Sequence, residues 1–432
     1  MERKFKDSGT EWIGMIPETW KVCKIKNLCT NIYSGGTPDS NNLLYWDGDI
    51  PWIPSGSCHD MIINEAPKSI TQLGFENSST KMIPANTTVL AMTGATCGNV
   101  GFVTFETCMN QSVTGFIAKK DHYSKYLFYC LLAAREDILT HKTGGAQSGI
   151  NVEDCKSIIV PYIPNAEQKR IADYLDKKCG EIDSLIALQE QMIEKLKAYK
   201  QSVITEAVTK GLDPNAKLVP SGIDWIGDIP EGWLITDIKN LCISITDGSH
   251  FSPERQSEGM PYITAGDIRG KGIDYNNAMR IRLEDYNTLE SQGCRPHKGD
   301  VLMVKDGATT GRVGMMTDDE KCVLLSSVAM LTPLSKVDSN YLMYLVQSNV
   351  IQAQIQLLMA GSAMPRVTLK KINSLKGLLI PLNDQHSIIS YLDEKCADID
   401  RLIALKQQKI ESLKEYKKSV VYEAVTGKTT IE

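Results

Sequence analysis

The chain has 432 residues, 42% hydrophobic and 23% charged, which leaves room for two ordinary domains with connecting elements and excludes a disordered chain. No apolar stretch approaches the roughly 20 residues of a membrane span, and the start Met1-Glu2-Arg3-Lys4-Phe5-Lys6-Asp7 lacks an apolar signal region, so a cytoplasmic protein with no membrane partner is expected. With 47 Lys+Arg against 52 Asp+Glu the net charge is -5, which argues against phosphate binding by the chain as a whole and leaves only a local basic stripe open.

The chain opens on a lead-in motif that it later repeats. Ser8, Trp12, Ile13, Gly14, Ile16, Pro17, Glu18 and Trp20 return as Ser221, Trp225, Ile226, Gly227, Ile229, Pro230, Glu231 and Trp233. Its Ile-Pro-Glu turn and flanking tryptophans are expected to pack against the domain behind it. A period of roughly 210 residues is too long for a solenoid and means a duplicated domain pair.

A variable region follows each motif, ending near Ile163-Pro164 and Ile380-Pro381. Short strands such as Thr88-Val89-Leu90-Ala91-Met92 and Asp300-Val301-Leu302-Met303-Val304 lie among Gly-rich turns, with helical patterns at Tyr126 to Ile138 and Tyr341 to Leu358. Gly94-Ala95-Thr96-Cys97-Gly98-Asn99-Val100-Gly101 matches Gly307-Ala308-Thr309-Thr310-Gly311-Arg312-Val313-Gly314, so one mixed α/β fold is expected twice with different loops.

Each copy ends in a helix, from about Glu167 to Lys210 and from about Asp384 to Lys428. Leu175, Cys179, Ile182, Ile186, Ile193, Leu196, Val203 and Ala207 step by three and four, the a/d seam of a coiled coil, widened on one side by Leu185, Met192 and Tyr199. Leu392, Cys396, Ile399, Ile403, Ile410, Leu413, Val420 and Ala424 repeat that seam. Gln189 and Lys200 interrupt it and are expected to set register, while Gly211 and Gly427 end the helices. Eight basic and eight acidic residues between 167 and 210 point to a protein–protein role rather than DNA-binding arms. Two such stripes in one chain are most economically buried against each other as antiparallel rods of roughly 60 Å. The bland alternative is two unrelated surface helices.

The motifs exclude more chemistry than they suggest. Twelve cysteines contain no Cys-x-x-Cys, and two recur at equivalent positions, Cys29 with Cys242 and Cys179 with Cys396, which favours small buried core groups over metal ligands. The Gly-Ala-Thr loops follow a strand but fit neither the dinucleotide fingerprint nor the P-loop. They read equally as tight strand-to-strand turns or as loops whose N–H groups approach a phosphate. There is no Asn-Pro-Pro-aromatic tetrapeptide, no cofactor loop and no paired histidines, so no catalytic constellation is expected. Basic residues gather in copy two at Arg269, Lys271, Arg280, Arg282, Arg295, Lys298, Lys305, Arg312, Arg366, Lys370, Lys371 and Lys376, which suits base and phosphate contact but also any solvated surface.

Taken in order, twice over, these marks resemble the specificity subunit of a type I restriction–modification system. The resemblance covers nearly the whole chain. It rests on the lead-in motifs, on Ser34-Gly35-Gly36-Thr37-Pro38 with Tyr45-Trp46-x-Gly48-x-Ile50-Pro51-Trp52, and on Asp247-Gly248-Ser249-His250. It also rests on the Gly-Ala-Thr loops, on Gly145-Ala146-Gln147-Ser148-Gly149-Ile150 and Gly361-Ser362-Ala363-Met364-Pro365, and on the helix starts Glu167-Gln168 and Asp384-Gln385.

The resemblance implies an α+β fold of two pseudo-symmetric globular α/β target recognition domains separated by two long antiparallel coiled-coil helices. The boundaries are 1–165 for the first recognition domain, 166–211 for the central helix, 212–382 for the second domain and 383–432 for the C-terminal helix. Each domain would read one half of a bipartite asymmetric site in double-stranded DNA, the half-sites about one helical turn apart. The helices would set the spacing and dock two modification (methyltransferase) subunits, which flip and methylate an adenine in each half. Restriction/translocase subunits would join the full complex. The chain itself would bind no cofactor, S-adenosylmethionine, ATP and Mg2+ being held by the partners. Expected DNA contacts are Ser34, Thr37, Ser55, His59, Thr93, Thr96, Asn99, Gln147, Ser148 and Asn151 in copy one. In copy two they are Ser249, His250, Thr264, Arg269, Lys305, Thr309, Arg312, Met364 and Arg366. The competing classes are a non-enzymatic interaction scaffold with two ligand-binding domains and a self-sufficient DNA methyltransferase.

Overall fold

A computed structural model describes residues 3–143, 148–223, 225–270, 272–359 and 365–431. The chain divides into two compact units, Met1–Glu190 with Gln408–Glu432, and Gln191–Gln407. The first is built from two separate stretches, because it takes the beginning of the first long helix and the end of the second; the second is contiguous and takes the remaining part of each.

In the first unit a five-stranded sheet runs in the order Cys29–Ser34, Val113–Ala118, Thr87–Ala91, Val100–Val103, Met61–Ile63, antiparallel except for the last pair. A three-stranded sheet sets Trp46–Ile53 between Cys108–Met109 and Lys68–Ile70. The helical pattern at 126–138 is two helices, Ser124–Ala133 and Arg135–Thr140. Val100–Val103 is buried at every position because the sheet is covered, which is why that segment reads as a continuous apolar run.

The second unit repeats the plan. Its sheet runs Cys242–Asp247, Val328–Pro333, Val301–Val304, Val313–Met315, the first four strands of the other sheet in the same order. Met260–Ile263 lies between Met279–Ile281 and Val323–Leu324, and the helices are Ser339–Gln347 and Asn349–Met359. In both units the variable region is closed at its base by its own ends. Lys21–Lys24 pairs with Ile159–Tyr162, and Leu234–Asp237 with Lys376–Leu379.

The long helices are Asn165–Lys210 and Leu382–Val425, and Gly211 and Gly427 follow them in the left-handed conformation at φ +72° and +75°. Within the first unit Ile171, Leu175 and Cys179 share one core with Val420, Val421, Ala424 and Val425. Within the second, Val203, Ile204, Ala207 and Val208 share a core with Ile388, Leu392 and Cys396. In both, the early part of one helix meets the late part of the other, so the helices pair antiparallel. The seam residues Ile182, Ile193, Ile399, Ile410 and Leu413 are buried, and Ile186, Leu196 and Ile403 half-buried. Leu185 and Tyr199 do not widen the seam; they are exposed, as are their duplicates Leu402 and Tyr416.

The duplicated residues are the ones that tie each helix to its unit. Gln168 is fully buried: its carbonyl accepts the Tyr123 N–H at 2.8 Å and its amide donates to Ile163 O at 2.9 Å. Gln385 accepts the Asp338 N–H at 2.8 Å and donates to Lys336 O and Ile380 O, both at 2.9 Å. The Trp20 indole donates to Glu167 at 3.3 Å and Trp233 to Asp384 at 3.1 Å. The hydroxyls of Tyr129 and Tyr344 each donate at 2.6 Å to an aspartate of the duplicated tripeptides Tyr174-Leu175-Asp176 and Tyr391-Leu392-Asp393, Asp176 and Asp393 respectively. Of the tryptophans expected to pack, Trp20 and Trp233 are buried, Trp12 is half-buried, and Trp225 is 46% exposed.

The four duplicated cysteines, Cys29, Cys179, Cys242 and Cys396, are all buried in these cores. Burial pushes the Cys29 and Cys242 thiols up to about 12, making them inert core groups.

Candidate nucleic-acid interface

Three loops meet at one end of each main sheet. In the first unit, the strand Cys29–Ser34 runs into Gly35 and Gly36, whose N–H groups donate to Val113 O at 3.2 Å and Met109 O at 2.9 Å. A Cβ on Gly35 would lie 1.8 Å from Met109 O, so only glycine lets this loop press against the neighbouring backbone. Beyond it Thr37 is exposed, and its hydroxyl donates to Gln111.

The Gly-Ala-Thr loop is a single turn, Gly94–Thr96, joining two antiparallel strands, with Thr93 before it and the Thr96 hydroxyl folded back on Thr93 O at 3.4 Å. Thr93 bridges to Gly149, and Ile150 donates to Met92 O at 2.9 Å, which brings half-buried Ser148 to the same place.

Asn99 faces inward and donates from Nδ2 to Cys58 O at 3.0 Å, holding the turn Ser55–Ser57 and exposed His59 against the loop. Arg135 reinforces this turn through Asp60 and through Gly98 O at 3.1 Å. Asn151 lies outside the group: its side chain accepts the Glu153 and Asp154 N–H bonds and caps the helix Val152–Ser157. Gln147 lies outside the described residues.

The second unit builds the same frame with charge. Gly248 follows Asp247 as Gly35 follows Ser34, and a Cβ there would lie 2.0 Å from Leu324 O. Ser249 is buried and accepts the Phe251 N–H at 2.9 Å, leaving His250 and Phe251 exposed. Lys305 is only 2% exposed; its ammonium is 3.2 Å from Asp247 and 3.0 Å from Asp306. It therefore does not face solvent. Gly307 donates to Pro365 O at 2.9 Å and Val367 to Lys305 O at 2.8 Å, which carries Arg366 to Asp306 at 3.1 Å.

Arg312 is exposed and reaches Ile268 O at 3.3 Å, above half-buried Thr309. Thr264 is committed locally, its N–H and hydroxyl both meeting Asp267 at 2.8 and 2.7 Å. Arg269 is exposed and 3.4 Å from Asp274. Met364 and Lys271 lie outside the described residues.

Sequence reasoning passed over Gln111, Asp306 and Arg135 and quoted Asp247 only as part of a motif, yet all four hold the loops. An acidic residue beside a loop lysine was the available signal for Asp306. Much of the expected basic stripe is already neutralised, Arg282 by Glu254 at 3.0 Å, Arg295 by Glu290 at 2.6 Å and Lys376 by Asp237 at 2.6 Å. Beside the polar loops, exposed Arg312 keeps no carboxylate partner among the described residues, while Arg366 is exposed but paired with Asp306.

Comparison with known proteins decides the family. A model described as the type I restriction modification DNA specificity domain matches twice, over residues 17–198 and 230–415. The chain belongs to that specificity family. It is 25% identical to the MjaVIII type I restriction enzyme specificity subunit of Methanocaldococcus jannaschii over 426 residues, covering 96% of this chain and 94% of the relative. It is 24% identical to the EcoBI specificity subunit of Escherichia coli, over 75% of this chain and 70% of that one. The fold matches a chain solved in a study of assembly and conformational transition of the type I system, with a TM-score of 0.68 at 16% identity, covering 96% of this chain and 99% of the other. The two matched segments are the two variable regions, each with part of its long helix. The chain is thus a non-catalytic specificity subunit with two DNA specificity domains. Among the described residues no helix is long and apolar enough to cross a membrane.

Proposed function

We propose that each unit of this specificity subunit reads one half of a bipartite, asymmetric double-stranded DNA site through its three convergent loops. The observation that carries this is a constant loop frame holding unlike side chains. Ser34, Met92, Thr93 and Gly149 in the first unit stand where Asp247, Lys305, Asp306 and Arg366 stand in the second. Different chemistry on one scaffold is what reading two different half-sites needs.

The paired helices set the spacing and dock two modification subunits. In support, Leu185 and Leu402, Leu188 and Leu405, and Tyr199 and Tyr416 are exposed at matching positions, so both helices carry the same uncovered apolar residues. S-adenosylmethionine, ATP and Mg2+ belong to the modification and restriction/translocase subunits, and adenine methylation is theirs. The formal charge of -5 agrees with partners that supply much of the phosphate binding.

The test exploits how each variable region is closed. Ile25 donates to Ile158 O at 2.7 Å and Ile238 to Leu375 O at 2.8 Å, so residues 25–158 or 238–375 can be exchanged with the frame intact. Methylated adenines are then mapped genome-wide in cells carrying each chimaera. One half-site is expected to change and the other to persist. A swap that altered both halves would end the modular reading, and a chain giving no sequence-selective gel shift with its modification subunits would be an interaction scaffold instead.

A further inference from the structure

The second unit buries a lysine where the first buries a methionine. Lys305 and Met92 hold the same place: each donates its N–H to a serine carbonyl across the sheet, Ser327 and Ser112 at 2.8 Å, and each accepts from the following loop, Val367 and Ile150. Met92 is neutral, taking a hydroxyl from Thr114 at 2.8 Å. Burying an ammonium against two half-buried carboxylates carries a desolvation cost, and a well-packed apolar residue commonly serves stability as well or better. The first unit demonstrates that the fold does not need the charge. Its presence therefore calls for a role beyond stability.

The geometry supplies one. Asp306 lies between Lys305 at 3.0 Å and Arg366 at 3.1 Å, and Lys305 is also held by Asp247 at 3.2 Å. Arg366 is 59% exposed at its side chain, with Nε toward the carboxylate. Among the described residues its two terminal nitrogens meet no acceptor, and the buried Oδ1 of Asp306 takes no hydrogen bond despite the close Nε. The four charges cancel, so the group adds orientation rather than net attraction for phosphate. A guanidinium held at Nε with its fork outward is matched to the O6 and N7 acceptors of guanine in the major groove.

We propose that Arg366 reads a guanine in the half-site of the second unit, with Asp306, Lys305 and Asp247 as positioning residues that set its guanidinium. This rests on the DNA-reading function above. The first unit, with Ser34, Met92, Thr93 and Gly149 at the four positions, reads its half without an ionised side chain there.

The experiment uses the full chain in complex with modification subunits, on duplexes carrying its mapped site. Guanines are replaced one at a time by 7-deazaguanine, which lacks the N7 acceptor. One guanine of the second half-site is expected to lower wild-type affinity by about 5- to 150-fold, the range of a bidentate base contact. Arg366→Ala, which gives up the contacts to both O6 and N7, is expected to lose at least that factor and then to be indifferent to that replacement, and Arg366→Lys is expected to fall short of full discrimination. The triple variant Asp247→Ser, Lys305→Met, Asp306→Thr copies the first unit. It should melt as a folded protein and keep first-half discrimination while losing selectivity at that guanine, although Arg366 is still present.

The proposal is overturned if the second half-site tolerates 7-deazaguanine throughout. It is equally overturned if Arg366→Ala weakens all sequences alike, as a phosphate contact would, or if Arg366→Lys retains full discrimination. A wild-type complex with no sequence selectivity at all would instead overturn the DNA-reading function itself.

Discussion

The ammonium of Lys200 lies 2.7 Å from both carboxylate oxygens of Asp400, and Lys417 meets Asp183 in the same way at 2.7 and 2.8 Å. Lys200 and Lys417 occupy one position of the repeat, Asp183 and Asp400 another, so a single device is used once in each unit. A buried Leu or Ile of the seam contributes about 1.5–3 kcal/mol, against about 0–1 kcal/mol for an exposed ion pair. The seam holds the helices together, and the ion pairs select their register.

Removing one partner, as in Lys200→Ala or Asp400→Ala, is accordingly expected to cost about 1 kcal/mol or less. The exchanged pair Lys200→Asp with Asp400→Lys should recover most of the loss. A double-mutant cycle in urea checks this, and a coupling indistinguishable from zero would remove the register role.

The buried glutamines carry a larger penalty. Gln168→Leu strands the Tyr123 N–H and the Ile163 carbonyl, at about 1–3 kcal/mol for each unsatisfied buried group. Gln385→Leu does the same to Asp338 and Ile380 in the other unit. Each variant should destabilise its own unit, read as a lowered protease-resistance midpoint for fragments of that unit and not the other.

Gly35→Ala and Gly248→Ala place a methyl group 1.8 and 2.0 Å from a backbone carbonyl, so the loop must move. A cost of about 1–3 kcal/mol is expected, together with loss of discrimination at one half-site only. Competition binding with site variants in each half distinguishes the two, and an equal loss in both halves would contradict the separate frames.

Stability should also fall at alkaline pH. Burial raises the thiols of Cys29, Cys58, Cys155, Cys242 and Cys322 from 9.0 to about 12. The folded state therefore holds these protons more tightly than the unfolded state. Their contribution is complete below pH 9 and is lost as pH rises from about 9 towards 12. Urea melts across that window should show a steeper decline for the wild type than for Cys242→Ala, and identical slopes would remove the thiol as the cause.

The sequence by itself determined the duplication, the helix seam and the glycine turns, because each is written in local spacing. A three-four step places Leu175, Cys179 and Ile182 on one stripe whatever surrounds them, and a glycine at 211 or 427 ends a helix through its own backbone freedom. The antiparallel partner was legible too, since two matching stripes have nowhere better to be buried. The loop residues were legible as a group but not by role. Asn99, Asn151 and Thr264 look like ligands for a base, yet each spends its side chain on a nearby backbone or carboxylate group. Only the tertiary structure decided that Lys305 turns inward, because its partner Asp247 is 58 positions away in sequence and reaches it through the strand order of the sheet. Side-chain charge is a local property; where it points depends on long-range packing.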